Sequence, residues 1–236
     1  MALGHLIVTP SKRLFTGREK ELAQLHDLSQ KRPRPILISG PPGIGKTALV
    51  LMYVSSNYSA QEAAYLDIEK APDPYKLIYD FAEQLQQHPT RVPAIVILDG
   101  TERLSGKELE DSFYRLLNFK LIRTVIGTTR PTDTRFKGAR YIELKSLSFP
   151  DTVVFLHKGI KQPVSDEELT RLATFTKRHP LVLNVLADFF KGSSNWRSLV
   201  IYSGRYIRSP TCISDNFKPA NKSRSATDCT CNRFID

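Results

Sequence analysis

One stretch of the chain, residues 40–47, combines residue types and spacing that suit the phosphates of a nucleotide. It reads G-P-P-G-I-G-K-T, with an apolar run at 36–38 before it and a helical pattern after it. Strand, glycine loop and helix in this order form the context that a phosphate-binding loop requires. Glycines allow successive backbone N–H groups to turn toward one anion, and the helix adds the positive end of its dipole. An ordinary turn between a strand and a helix is the alternative, and the motif with its context favours phosphate binding.

Each polar side chain of this motif has its own predicted role. Lys46 reaches the terminal phosphates, and the Thr47 hydroxyl binds Mg²⁺. The other contacts are expected from the backbone of the loop and of the first helical residues. The residues predicted to bind the nucleotide here are Gly40, Pro41, Pro42, Gly43, Ile44, Gly45, Lys46, Thr47 and Ala48.

A second group of candidate residues stands where predicted strands end. Asp99 follows the apolar run 93–98, and open α/β sheets bind their ligands at the carboxyl ends of the strands. We therefore predict that Asp99 binds Mg²⁺ together with Thr47. Glu102 is the nearest further acid, and two roles explain it equally well: it orients a water molecule, or it complements the N-terminus of a helix.

Arg130 directly follows the predicted strand 124–129. This position predicts a cation at the γ-phosphate, which distinguishes a triphosphate from a diphosphate. A surface arginine before the helix-breaking Pro131 is the alternative, and the convergence of strand ends favours the phosphate role. The predicted catalytic residues are Lys46, Asp99, Glu102 and Arg130.

Hydrophobic periodicity predicts the elements that position these residues. Strand and helix patterns alternate between residues 35 and 147, which is typical of a three-layer α/β domain with a parallel sheet. Three helical patterns follow, and beyond them the chain loses its periodicity and is predicted to be poorly ordered. The predicted domains are an N-terminal segment at 1–34, the nucleotide-binding α/β domain at 35–147, a small helical subdomain at 148–192 and a polar, basic tail at 193–236.

The residues before the first strand predict an amphipathic helix. Thr16 is placed to cap its N-terminus, with Glu19 three residues later in the spacing of a capping box. Leu22, Leu25 and Leu28 then share one face of the helix. We expect this face to pack on the core of the α/β domain.

Composition limits the classes of function that the chain supports. Its 236 residues are 41% hydrophobic and 25% charged, and no apolar run approaches the roughly 20 residues of a membrane-spanning helix. The first eight residues lack the pattern of a signal peptide, so we expect a cytoplasmic protein with no membrane partner. The net charge of +10 favours contact with polyanions such as nucleic acid, although a solvated basic surface is the commoner explanation.

Several motifs, taken in order, resemble those of the STAND class of P-loop ATPases, which contains the NB-ARC domains. The resemblance extends from about residue 14 to residue 191. Its first motif, G-R-E, also occurs in AAA+ initiator ATPases of the Orc/Cdc6 kind. The similar segments are 15–19 for the GRE motif, 40–47 for Walker A, 95–99 for Walker B, 124–130 for the strand ending in T-T-R, 142–148 for L-x-x-L and 178–183 for G-x-P-L-A-L.

The resemblance implies a five-stranded sheet in the order 5-1-4-3-2 and an ATP/ADP site with Mg²⁺. Adenine would lie near Phe15, Arg18 and Pro180, between the sheet and the helical subdomain. Two positions depart from the family pattern. Gly100 stands where many relatives carry a second acid, which implies slow hydrolysis or reliance on Glu102. The proline motif also lacks its expected glycine.

The resemblance makes a regulatory ATPase switch of the STAND type the leading hypothesis, in which ADP holds a closed form and ATP opens it for self-assembly. A DNA-associated, AAA+-like ATPase of the Orc/Cdc6 or transposition-helper kind is the alternative, based on the basic charge and the shared GRE motif. A non-enzymatic adaptor that binds nucleotide only to remain folded is a third hypothesis.

Overall fold

The computed structural model describes residues 15–31, 33–131, 136–160 and 164–192; for residues 191 and 192 it describes the backbone alone. The predicted tail at 193–236 lies outside the described residues. The strands are β1 (Ile36–Ser39), β2 (Ala63–Asp67), β3 (Ile95–Asp99), β4 (Thr124–Thr129) and β5 (Arg140–Glu143). The helices are α1 (Glu19–Ser29), α2 (Lys46–Asn57), α3 (Pro74–Gln87), α4 (Gly106–Leu117), α5 (Phe149–Gly159), α6 (Asp166–Phe175) and α7 (Pro180–Gly192). Short 3₁₀ turns follow α3 and β3, at Pro89–Arg91 and Thr101–Arg103.

All five strands pair in parallel in one sheet, in the order β2-β3-β4-β1-β5. Read from the other edge this is 5-1-4-3-2, so the predicted strand order is confirmed. Thr128 of β4 lies in register with Ile38 of β1 on one side and with Asp99 of β3 on the other. The three strand ends that carry the predicted site are therefore neighbours at one edge of the sheet.

Helices cover both faces of the sheet, which makes the domain the predicted three-layer structure. Side chains of a strand alternate between the two faces, and β1 shows this directly. Ile36 and Ile38 are buried against α1 and α2, whereas Leu37 is buried against α3 and α4 on the opposite face. A buried aliphatic side chain of this size contributes about 1.5–3 kcal/mol, so the two layers fix the position of β1 and of the loop that follows it.

The last three described helices pack around an apolar cluster of their own. This cluster includes Phe155 and Leu156 of α5, Leu169 and Leu172 of α6, and Leu183 of α7. Serine side chains cap the first two of these helices, because the hydroxyl of the N-cap residue accepts a backbone N–H in the first turn. Within the described residues, no helix is long and apolar enough to cross a membrane.

The predicted cap of α1 is wrong. The helix begins at Glu19 with Arg18 at the N-cap position, and no side chain caps it. Gly17 has a left-handed backbone with φ of 73°, and this turn places Thr16 outside the helix. The Thr16 hydroxyl instead accepts a 2.7 Å hydrogen bond from Lys158 of α5. The GRE segment therefore contacts the helical subdomain as well as the sheet domain.

A left-handed turn precedes α7, at the position where the proline motif usually has its glycine. Lys177 and Arg178 have φ values of 50° and 59°. In this region the Cβ atom of a non-glycine residue crowds the following carbonyl oxygen. The turn is also fixed to the chain before α5, because Leu147 donates its N–H to the Arg178 carbonyl at 3.1 Å. The missing glycine therefore leaves a strained backbone conformation rather than a different fold.

We expect the substitution Arg178→Gly to raise the free energy of unfolding by about 0.5–1 kcal/mol. The left-handed conformation costs a residue with a Cβ about 1–2 kcal/mol, and the added freedom of glycine in the unfolded chain offsets part of the gain. Urea denaturation followed by circular dichroism measures the effect. The control is Glu110→Gly at an exposed position inside α4, which should destabilise by about 1 kcal/mol. Equal destabilisation by both substitutions contradicts the prediction.

Candidate functional site

The glycine loop between β1 and α2 leaves the N-terminus of α2 open. Gly45 occupies the N-cap position with φ of 99°, and no side chain caps the helix. A Cβ atom added at Gly45 would meet nothing within 4 Å, so the loop faces open space at this point. The first N–H groups of a helix lack partners within the helix and carry its positive dipole end. The geometry therefore provides a binding site for an anion.

A cavity of about 290 Å³ opens in front of this loop. Much of the predicted site lines it: the loop and α2 contribute Pro42, Gly43, Gly45, Lys46, Thr47 and Ala48, and the strand ends contribute Asp99, Glu102 and Arg130. Three further lining residues were not predicted, namely Glu69, Gly100 and Thr128. The sheet thus brings together the four predicted catalytic residues and both predicted metal ligands.

Asp99 lies at the floor of the cavity and is 8% exposed. The Thr47 hydroxyl is 3.0 Å from both of its carboxylate oxygens, and the Tyr65 hydroxyl donates to Oδ2 at 2.6 Å. Thr128 also donates to Oδ1, because its own hydroxyl oxygen accepts the N–H of Gly100 at 3.0 Å. A buried carboxylate is stable only when such donors replace water. Three hydroxyl groups therefore fix the orientation of Asp99.

Tyr65 of β2 reaches Asp99 from the neighbouring strand and was not predicted. Burial, together with the hydrogen bond to Asp99 and the charge of that carboxylate, raises the pKa of the Tyr65 phenol. The hydroxyl accordingly keeps its proton and acts as a donor to Asp99. The sequence offered only a weak signal for it: Tyr65 is two residues before the end of β2, and the pairing of β2 with β3 comes from the fold.

Lys46 lies along the loop rather than across the cavity. Its Nζ donates to the carbonyls of Gly40 at 2.9 Å and Pro41 at 3.2 Å. Burial lowers the pKa of the Lys46 ammonium, and the charges of Glu102 and Asp99 oppose this effect. The ammonium is thus partly desolvated, and the two acceptors that it bonds are neutral carbonyls, so a phosphate oxygen would be a stronger partner for it.

Arg130 extends from the end of β4 and contacts two acids at the cavity. Its Nε donates to Glu102 Oε1 at 2.9 Å, and its Nη2 is 3.6 Å from Glu69 Oε1. Just over half of its side chain is exposed. Arg130 therefore lies at the cavity as predicted, with its guanidinium held by carboxylates from two other strand ends.

The backbone conformation of Gly100 and its contact with Glu69 leave no room for a second acid directly after Asp99. Its φ is 93°, and a Cβ atom added here would lie 2.6 Å from the Cβ of Glu69 and 2.9 Å from its Cα. The backbone at this position is left-handed, and the space beside it is already filled. A side chain at residue 100 is therefore excluded by the conformation of the neighbouring chain.

The three residues implied for adenine lie outside the lining of the cavity. Arg18 is buried, donating from Nη2 to the carbonyls of Ile44 at 3.1 Å and Lys145 at 2.7 Å. Phe15 packs on the core of the sheet domain, and Pro180 is the first residue of α7. Arg18 thus connects the glycine loop to the chain that leads into the helical subdomain. An adenine contact for these residues stays a prediction.

Comparison with known proteins bears on this geometry. Residues 14–118 match the AAA ATPase domain family. This part of the chain includes the glycine loop, Asp99 and Glu102, and ends before Arg130. The similarity to AAA ATPase domains supports nucleotide-dependent ATPase activity, and it does not separate the STAND type from other AAA ATPases. No curated protein matches the chain in sequence.

Solved structures with the same fold include one of PCH-2 from C. elegans, with a TM-score of 0.57 and 13% identity over 80% of this chain and 69% of that one. Another is the HORMA:CdnC:Trip13 complex from E. coli MS115-1, with a TM-score of 0.50 and 13% identity over 71% of this chain and 75% of that one. At this level of identity the likeness shows the fold alone, which agrees with the parallel sheet and its flanking helices.

We expect Gly100→Ala to lower the free energy of unfolding by about 2–3 kcal/mol, because it adds left-handed strain to a close contact with Glu69. Gly106→Ala is the matched control. Gly106 begins α4 with open space around it, so the change is expected to be neutral or to stabilise by up to about 1 kcal/mol. Chemical denaturation of both variants measures the difference, and a Gly100→Ala protein as stable as the wild type contradicts the prediction.

Proposed function

We propose that this chain binds ATP and ADP with Mg²⁺ and acts as a nucleotide-dependent switch of the STAND type that hydrolyses ATP slowly. One observation carries the proposal: the uncapped N-terminus of α2, Lys46 and the Thr47–Asp99 pair line the same cavity. A polyphosphate needs backbone donors, a cation and a metal-binding carboxylate at one place. This site supplies all three.

Thr47 and Asp99 fit the requirements of Mg²⁺. Both offer oxygen atoms, and Mg²⁺ is usually held by one or two such side chains, with phosphates and water completing its coordination. The Thr47 hydroxyl and the Asp99 carboxylate are 3.0 Å apart at the base of the loop. When bound, the ion neutralises charge on the phosphates and polarises them. Tyr65 and Thr128 hold the carboxylate in place for this role.

The contacts of the glycine loop support the switch. A Cβ atom added at Gly43 would lie 2.7 Å from Leu181 and 3.1 Å from His179, so the loop and the start of α7 are in close contact. Arg18 also bonds the loop to the segment before α5. If the glycine loop moves when it binds phosphate, its contacts with the helical subdomain change. A ligand shifts a two-state equilibrium when it makes different contacts in the two states. Self-assembly in the ATP-bound form is part of this proposal.

Slow turnover follows from Gly100, because no acid is available directly after Asp99. Hydrolysis then depends on an acid farther along the chain or at the end of another strand. The candidates that line the cavity are Glu69 and Glu102.

The substitution Lys46→Ala is expected to weaken binding of both ATP and ADP by roughly 10- to 100-fold, since charge-assisted hydrogen bonds contribute about 1.5–3 kcal/mol. Fluorescence titration with labelled nucleotide in Mg²⁺ buffer measures the affinities. Lys107→Ala, at an exposed position of α4 outside the cavity, is the control and should bind like the wild type. Equal affinities for Lys46→Ala and wild type, or no binding by either, contradict the proposal.

A DNA-associated ATPase is the second candidate function, favoured by the net charge of +10. It predicts that affinity for a labelled DNA duplex falls by about 10-fold or more between 50 and 200 mM salt, because cations on the protein release counterions from the phosphates. It also predicts that ATP changes this affinity. Fluorescence anisotropy measures both effects, and binding that is insensitive to salt and to ATP contradicts this candidate.

A further inference from the structure

The cavity contains one carboxylate that the sequence motifs do not explain. Glu69 lies two residues beyond the end of β2 and lines the cavity together with Lys46 and Asp99. Its side chain is 56% exposed. An acid with this exposure at the phosphate end of the site is accessible to the water that a hydrolysis reaction consumes.

The backbone of Glu69 is fixed against the end of β3. The N–H groups of Ile68 and Glu69 both donate to the Asp99 carbonyl at 3.0 Å. The Cβ of Glu69 then fills the space that a side chain at residue 100 would need. The start of the Glu69 side chain therefore stands beside the position where a second acid would begin, although it comes from the adjacent strand.

Glu102 is less suited to contact water in the cavity. Its Oε1 accepts the 2.9 Å hydrogen bond from Arg130, and its Oε2 is buried without a hydrogen-bond partner among the described residues. Only 18% of its side chain is exposed. Glu102 is thus placed to hold the Arg130 guanidinium, and one of its oxygens has no access to solvent.

The contact between Arg130 and Glu69 is longer and more open than the contact between Arg130 and Glu102. It measures 3.6 Å, and both partners are more than half exposed. An exposed pair of this kind is weak, so the Glu69 carboxylate keeps room for a water molecule. Two acids of the same cavity therefore have different surroundings, which is the arrangement that separates a positioning role from a proton-accepting role.

We propose that Glu69 is the general base for ATP hydrolysis in this chain, and that Glu102 positions Arg130. This inference rests on the proposed function. The oxygen of water forms a bond to the γ-phosphorus, while the bond from that phosphorus to the β–γ bridging oxygen breaks and its electron pair leaves with ADP. The proton of the water passes to the Glu69 carboxylate and is released to solvent as inorganic phosphate departs.

The experiment compares Glu69→Gln, Glu102→Gln and the control Glu83→Gln, which changes an exposed acid of α3 outside the cavity. Single-turnover release of phosphate from radiolabelled ATP gives the rate, and titration with labelled ATP and ADP gives the affinities. Glu69→Gln should lower the rate by about 100-fold or more and leave both affinities within about twofold of wild type. Glu69→Asp, which retains a shorter carboxylate, should restore part of the rate.

Glu102→Gln should show a different profile, because it loosens Arg130. We expect it to lower the ratio of ATP affinity to ADP affinity and to reduce the rate less than Glu69→Gln does. Glu83→Gln should match the wild type in every measurement, and the thermal melting of each variant shows that it is folded.

The outcomes separate this inference from the proposed function. If Glu69→Gln hydrolyses ATP as fast as Glu83→Gln, the inference is wrong and the nucleotide switch stands. If wild type binds nucleotide without any turnover, the inference is wrong, and of the proposed function the nucleotide binding stands and the hydrolysis does not. If Glu69→Gln loses ATP affinity along with its rate, Glu69 is a binding residue and not the base. If wild type binds neither ATP nor ADP, the proposed function fails and the inference with it.

Discussion

The buried carboxylate of Asp99 is the constraint on which the site depends. It lies at the end of a fully buried strand, where a charge is stable only if donors replace its water. Thr47, Tyr65 and Thr128 provide these donors from α2, β2 and β4. Because the three come from different elements, Asp99 can be satisfied only when the parallel sheet and the glycine loop have formed together. Fold and site are therefore coupled through one side chain.

The strand order determines which groups meet at Asp99. β4 lies between β1 and β3, so Thr128 stands beside both the glycine-loop strand and Asp99. β2 lies on the far side of β3 and brings Tyr65 and Glu69 to the same edge. The acids and cations of the cavity thus come from chain segments that are far apart in sequence, and they meet because parallel strands end at the same edge of the sheet.

The sequence predicted most of the site residues and the order of the strands. Lys46 and Thr47 belong to a motif whose chemistry fixes the spacing, and Asp99 ends a continuous apolar strand, so both signals are local. The strand order came from the family resemblance, since pairing between distant strands leaves no local pattern. Glu69 was not predicted because it lies two residues beyond the end of β2. Hydrophobic periodicity does not indicate which residue after a strand contacts the neighbouring strand.

The cap of α1 and the turn before α7 show a second limit of sequence patterns. Thr16 has a suitable residue type and spacing for an N-cap. However, the left-handed backbone of Gly17 places Thr16 outside the helix, where its hydroxyl accepts a hydrogen bond from Lys158. At Arg178 the fold retains a left-handed backbone without the glycine that favours it. In both places tertiary contacts with the helical subdomain override the local preference of the residues.

The charges around the cavity bear on the form in which the proposed nucleotide would enter it. Asp99, Glu69 and Glu102 bring three carboxylates, whereas Lys46 and Arg130 bring two cations, so the ionised lining is negative by one unit. The three carboxylates therefore oppose the entry of a bare triphosphate, while the two cations and the N-terminus of α2 attract it. Complexation with a divalent ion removes half of the charge of ATP before contact, so the lining discriminates in favour of the metal complex over the free anion.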